Sequence, residues 1–323
     1  MFRYIVLRVL HSVPAFFVAT VVAFLLLRFV PGDPAVIYTG FDSRPEEIEA
    51  VREAMGLNRP LYIQYGAWLI DLLQFDLGRS FVSRLPVTDL IQASLGPTLE
   101  LAVVSFIFAG LTGLVTGVVS AVKPGRLIDG VIGVINSVAL SVPGFWIGIL
   151  LLLFVVQGLG WFAAGGRVPP SQSLGGWAGT IILPPIALSI RSAAVISRFT
   201  RNQVLDILHN DYIEAVVAKG ATPWRVLMYH AVPNALPPVI TIGGLEFARL
   251  VGSAVVIETV FSWPGIGRLL IVSLAARDYL VVQAAILLFV AAYIIANLAA
   301  DVAQLSLDPR LRQSTFKRPA GVK

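Results

Sequence analysis

Six apolar runs dominate the sequence, at residues 9–30, 98–122, 128–156, 181–196, 234–261 and 281–305. A helix rising about 1.5 Å per residue crosses the hydrocarbon layer in about 20 residues. The runs therefore have the length of transmembrane helices, the fourth being the shortest, with Leu183-Pro184-Pro185 near its start. Composition agrees: 57% of residues are hydrophobic, 13% are charged and the mean hydropathy is +0.82. A water-soluble domain of ordinary composition cannot hide that much apolar surface, so lipid must be the solvent for most of the chain. The expected fold class is all-α: a polytopic membrane protein of six transmembrane helices.

The first run carries Pro14 and Arg28 and leads into Pro31-Gly32-Asp33-Pro34 with no small-x-small cleavage site. It reads as a retained span rather than a signal peptide. Orientation follows from the basic residues near the span ends. With the amino terminus in the cytoplasm, the inside receives Arg3, Arg8, Lys123, Arg126, Arg198, Arg201, Lys219, Arg225 and a tail with Arg310, Arg312, Lys317, Arg318 and Lys323. The outside receives Arg167, Arg268 and Arg277 in its short loops, plus five arginines in one longer segment. An even number of spans then leaves both termini cytoplasmic. The chain divides into a tail and first span (1–30), an extracytoplasmic subdomain (31–96), a five-helix transmembrane domain (97–305) and a cytoplasmic tail (306–323).

Residues 31–96 read as helical. Ser43 is placed to cap a helix opening at Arg44-Pro45-Glu46-Glu47, running to Met55 and stopped by Gly56. A second stretch, 61–73, sets Leu61, Tyr65, Trp68, Leu69 and Leu72 on one face. Such a subdomain either covers a pore mouth and receives a soluble partner, or only packs against the span ends.

Within the spans, small residues recur at four-residue spacing: Ala109, Gly113 and Gly117; Gly144 and Gly148; Gly244, Ala248 and Gly252. Close backbone approach at such positions holds helices together in lipid. Pro143 and the pair Pro237-Pro238 are expected to break helix hydrogen bonds.

Residues 199–232 are too polar to cross the membrane and too rich in helix signals to be a slack linker. Asp211-Tyr212-Ile213-Glu214 has capping-box spacing, with Asp211 accepting from first-turn amides and Glu214 reaching back. A short helix then runs to Lys219. Gly220 stands where a left-handed residue ends it, Thr222 can cap a second helix, and Pro223 fits that helix's first turn. Ile213, Val216 and Val217 form an apolar seam on the first helix. A helix of this kind either docks in a groove on another protein or lies on the lipid surface.

Several function classes are poorly served. The chain has no cysteine, and His11, His209 and His230 are too scattered for a metal site. The formal charge of +5 is spread over short loops and forms no stripe for nucleic acid. There is no phosphate-cradling Gly-x-x-x-x-Gly-Lys-Ser/Thr, no His-Glu-x-x-His and no Gly-x-Ser-x-Gly.

The order of motifs carries a resemblance. Glu214-Ala215-Val216 followed by Gly220 and Pro233 resembles the "EAA" loop of ABC importer permeases. The flanks Asp211–Gly220 and His230–Pro238 are similar to the dipeptide, oligopeptide and nickel branch. Gly56-Leu57-Asn58-Arg59-Pro60-Leu61, Asp76-Leu77-Gly78-Arg79-Ser80, Glu258-Thr259-Val260-Phe261-Ser262-Trp263-Pro264-Gly265-Ile266-Gly267-Arg268 and Asp308-Pro309-Arg310 match the first permease of such systems. The chain departs at Val216, where the family has Ala, and at His230 and Val232.

The resemblance implies a type I ABC importer fold and a bacterial inner-membrane subunit that is not itself an enzyme. It implies a second homologous permease, two ATPase subunits that hold the ATP and Mg, and a periplasmic binding protein. This chain would need no cofactor of its own. It implies import of di- or oligopeptides, the same architecture also serving nickel chelates, glutathione or opines. Asp211, Tyr212, Glu214, Ala215, Val216, Lys219 and Gly220 become the expected ATPase-coupling residues. The ionisable residues of the spans, costly in lipid, become candidates for the translocation path: Glu246, Arg249, Glu258 and Arg191. Glu246 and Arg249 share one helical face and read first as a structural ion pair. Arg191 is expected to face the bundle interior and Arg28 to reach the outer interface.

Overall fold

The computed structural model describes residues 2–29, 33–40 and 43–307, and helices make up nearly all of them. In chain order these are α1 (Phe2–Phe29), α2 (Pro34–Thr39), α3 (Pro45–Ala54), α4 (Leu61–Leu73), α5 (Val87–Val122), α6 (Leu127–Ser141) and α7 (Gly144–Leu151). Then follow α8 (Leu174–Ile181), α9 (Leu183–Leu208), α10 (Asp211–Ala218), α11 (Pro223–Val226), α12 (Val232–Val260), α13 (Ile266–Ala275) and α14 (Tyr279–Leu307). Four helical segments are long and apolar enough to cross a membrane, and two bent helix pairs bring the number to six if each is one span.

The third expected span is not a straight rod. It breaks after Ser141, and α6 and the following helical segment meet at 101°. Val142 is extended (φ −89°, ψ 129°) because a residue before proline is pushed out of the helical region, and Pro143 then caps α7. Pro237 and Pro238 behave differently: α12 runs through both without a break. The fourth span is α8 and α9 joined at a 44° bend. The expected loop at 199–232 shrinks, since α9 stays helical to Leu208. Val204 supplies the reason: it is fully buried with Ala121, Leu227, Ala231 and Ala235, and Leu205 and Leu208 pack on the same cluster.

The chain forms two compact units. One comprises Met1–Glu100, Gly165–Arg167 and Ala254–Ile294; the other comprises Leu101–Ala164, Val168–Ser253 and Ile295–Lys323. In the first, Phe24 of α1 meets Tyr65 and Trp68 of α4 at centroid distances of 5.4 and 5.8 Å. Tyr65, Trp68, Leu69 and Leu72 are half-buried as the 61–73 pattern predicts, while Leu61 is exposed. Ser43 does not cap α3; Arg44 holds that position without a side-chain bond, and the Ser43 hydroxyl donates to the Thr39 carbonyl. Val87, Val281 and Ala284 form a buried cluster, with Leu90 and Ile91 against it.

In the second unit α6 and α7 pack on α9. The small-residue seam of α5 is real. A Cβ on Gly113 would stand 2.8 Å from the Ala193 carbonyl, and one on Gly117 would stand 2.6 Å from that of Ser197. Thr116 and Asn136 both donate to the Ser197 hydroxyl, at 2.9 and 3.0 Å, giving the seam its polar ties. Gly252 departs from its series, with open space where a side chain would go. The side chain of Arg28 and the motif Asp308-Pro309-Arg310 lie outside the described residues.

Candidate functional site

Helix α10 projects from the second unit between α9 and α11. Its cap differs from the expected box: Asn210 is the N-cap residue and Asp211 the first helical one. No side chain closes that end, so neither Asp211 nor Glu214 makes the predicted capping bond. The other end is as expected. Gly220 takes φ +86°, Thr222 accepts from the Arg225 amide, and Pro223 opens α11. Only Ile213 of α10 is buried, at 4% exposure. Val216 is half-buried, and Glu214, Ala215, Val217, Ala218 and Lys219 are exposed. The helix thus anchors itself through one isoleucine and presents a mixed carboxylate and aliphatic face.

Tyr212 ties α10 to the start of α12. Its hydroxyl donates to the His230 carbonyl at 3.4 Å and accepts from the Asn234 amide at 3.2 Å, and Asn234 also bonds that carbonyl at 2.7 Å. Asn234 falls within the His230–Pro238 stretch, and its bond to Tyr212 is visible only in the fold. Hydrogen bonds as well as the chain therefore join α10 to the start of α12.

Asp129 is the other residue that spacing did not reveal. Arg201 of α9 grips its carboxylate with two bonds, at 2.7 and 2.8 Å. The Ser120 hydroxyl and the Gly125 amide also donate to it. This clamp joins α5, the turn after it, α6 and α9. An acidic residue in the first turn of an apolar helix was the available sequence signal.

The charged residues of the spans fall into separate sites. Glu246 is 3% exposed; it accepts from Ser192 of α9 at 2.8 Å and from Arg249 at 2.8 Å. The Arg249 side chain is 61% exposed, so the pair has one buried and one outward member. Arg191 is exposed and donates to the Leu140 carbonyl at 3.4 Å, one of the acceptors freed where α6 ends. Glu258 is fully buried. Its carboxylate accepts from Thr98 (2.7 Å) and from the amides of Gly267 (2.7 Å) and Arg268 (3.1 Å), while Thr98 also receives the Ile266 amide. It fills the amino-terminal turn of α13. A Cβ on Gly265 would lie 2.3 Å from the Glu258 carboxyl carbon, which explains the glycine there. Among the described residues no group of acidic, His or Cys side chains is arranged to hold a metal ion.

Known proteins match this pattern over nearly its whole length. A family model described as "Binding-protein-dependent transport system inner membrane component" covers residues 113–313, and its amino-terminal companion covers residues 1–102. A putative peptide transport system permease protein of Brucella abortus is 37% identical over 305 residues, 94% of this chain and 97% of that protein. The glutathione transport system permease protein GsiC of Escherichia coli K12 is 38% identical over 312 residues, 97% and 99% of the two chains. Among solved structures, an inward-facing form of the MetNI methionine ABC transporter aligns with TM-score 0.54 at 22% identity, covering 68% of this chain and 97% of that one.

Proposed function

The chain belongs to the binding-protein-dependent transport system inner membrane components, and from that membership we propose that it is the permease subunit of an ATP-driven importer of di- or oligopeptides. It is a multi-pass protein of the inner membrane. Both termini face the cytoplasm in this reading, α10 lies on that side, and the segment between α1 and α5 lies outside.

The observation that carries the proposal is α10 itself. It is an exposed helix held by one buried isoleucine and by Tyr212, rooted in α9 before it and in α12 after it. Two ATPase subunits supply the nucleotide chemistry, one of them receiving Glu214, Ala215, Val216 and Val217 in a cleft. Asp211, Lys219 and Gly220 shape the two ends of the docked helix. When the ATPases close, the helix moves as a rigid lever. Asn234 carries that displacement to α12, and the Asp129–Arg201 clamp carries it from α9 to α5 and α6. A packed helical bundle answers such a push by switching between discrete arrangements. Nucleotide shifts that balance only through its different affinity for the two states. A second homologous permease completes the pore, and a periplasmic binding protein delivers cargo to the outer face.

Within the spans, Glu246 and Arg249 serve first as an ion pair steadying α12 against α9, and the outward guanidinium of Arg249 is the more available of the two for the path. Glu258 holds α13 in place. Glutathione is the second cargo to consider, because the Escherichia coli relative carries that name. Proteoliposomes holding this chain, its partner permease, the ATPases and the binding protein decide the matter. ATP-dependent uptake of labelled di- to pentapeptides supports the proposal, uptake of glutathione alone narrows it, and uptake of neither refutes it.

A further inference from the structure

The first unit contains a cavity of about 280 Å³ walled by α1, α4, the segment before α5 and the start of α14. That is close to the lower end of small-molecule sites, about 300 Å³. Its wall is largely aromatic, with Phe24, Trp68, Phe81 and Tyr279, and Arg59, Gln64, Asp71 and Gln283 interrupt it, Gln64 being engaged by the Leu57 and Arg59 carbonyls. Gln283 is 7% exposed and its carboxamide makes no hydrogen bond among the described residues. The amide faces the cavity rather than a partner in the protein, so its acceptor and donors are open to a molecule lodged there, which leucine at this position would not offer. Arg59 and Asp71 are exposed and form no ion pair among the described residues.

The two charges are placed with a direction. Arg59 precedes α4 and Asp71 lies in its last turns, so both agree with the helix dipole: positive at the amino end, negative at the carboxyl end. Their backbone separation is up to about 22 Å, at 1.5 Å per residue within α4 and about 3.3 Å per residue across the extended Pro60 before it. An extended peptide spans about 3.3–3.6 Å per residue, so a peptide of a few residues is of the length to bridge the two charges. A side-chain amide offers one acceptor and two donors, the complement of a peptide group.

We propose that this cavity is a binding site for a short zwitterionic peptide, its carboxylate toward Arg59, its ammonium toward Asp71, a backbone amide on Gln283 and an apolar side chain among the aromatics. The proposal deepens the peptide-import reading by placing a cargo-class site where the 31–96 segment meets α1 and α14.

Isothermal titration of the purified full-length chain in nanodiscs tests it, with tri- to pentaalanine, the same peptides N-acetylated, and the same peptides C-amidated as probes. The expected result is saturable binding, weakened about tenfold or more by either cap and by Gln283→Leu. Gln283→Leu is expected to keep or raise the melting temperature, which separates lost binding from lost folding; Arg59→Gln and Asp71→Asn should each abolish discrimination against only one capped end. Equal affinity for free and capped peptides, no effect of Gln283→Leu, or no binding would overturn the site. So would a phospholipid that co-purifies with the chain, is lost in Gln283→Leu and is not displaced by peptide. Peptide uptake that survives Gln283→Leu unchanged removes the site and leaves the import reading standing. Binding at this site without peptide uptake by the reconstituted importer removes the import reading instead.

Discussion

Glu258 Oε2 lies 2.7 Å from the backbone nitrogen of Gly267, so a buried carboxylate near the end of α12 occupies the amino-terminal turn of α13. The nearby Trp263 indole donates to the Pro97 carbonyl at 2.9 Å, and the two contacts together fasten the turn between these helices. A carboxylate accepting two amides and a hydroxyl has little capacity left for a passing cargo. A role in holding the scaffold follows from that saturation.

Removing the carboxylate should therefore destabilise the chain rather than alter its cargo preference. Glu258→Ala strands two amides and the Thr98 hydroxyl, a cost on the order of 3 kcal/mol. Gly267→Ala should do comparable harm, because its Cβ would fall 2.3 Å from Val255 Cα, which is backbone and cannot swing aside. Thermal unfolding in detergent checks both, with Glu258→Gln, which keeps one acceptor, falling between wild type and alanine.

The Asp129–Arg201 clamp predicts a coupled pair. Each single alanine variant should lose on the order of 2 kcal/mol, less than for a fully buried pair because the Arg201 side chain is 30% exposed. The double variant should lose clearly less than the sum. Receptor-stimulated ATPase activity measured on the assembled complex would show whether α6 stays linked to α10 once the clamp is cut.

At α10, stability and function should separate. Glu214 is exposed, so Glu214→Arg is expected to leave the stability within about 0.5 kcal/mol of wild type while ATP-driven uptake falls severely. Gly220→Val places a β-branched residue at φ +86° and should cost about 1–2 kcal/mol locally, misaiming the helix. Uptake and unfolding run side by side on the two variants check this.

The segment between α1 and α5 should loosen in acid. Burial raises the Asp33 carboxyl, but the Arg52 guanidinium and the Ala35 amide outweigh it and hold the group below the usual carboxylate range. A depressed carboxyl stabilises the folded state above its unfolded value, and that contribution is lost as pH falls through the folded one. Proteolysis of the segment should rise as pH drops below about 4, and Arg52→Ala should show the faster cleavage already at neutral pH.

Much of this molecule was legible in the sequence because lipid simplifies the reading: long apolar runs gave the spans, and Gly220, Thr222 and Pro223 gave the turn between α10 and α11. The misreadings share one cause, that tertiary contacts override local signals. Asp211 and Glu214 have box spacing, yet Asn210 takes the cap position. Residues 199–208 are polar, yet Val204 is buried on Ala121 and Leu227, and the helix continues. Pro143 breaks its span while Pro237-Pro238 do not break theirs, a difference that no dipeptide rule supplies. Asp129 and Arg201 are 72 residues apart, and only the fold brings them together.

The most direct test of the account asks which protein α10 touches. The chain has no native cysteine, so Val217→Cys, at a position 53% exposed, gives a single reactive thiol on the exposed face of α10. In membranes holding the assembled importer, the account predicts a disulfide between that thiol and a cysteine in the ATPase cleft, with a yield that changes when nucleotide is added. Labelling of the same thiol in intact cells by a membrane-impermeant maleimide, with no cross-link to the ATPase, would contradict it.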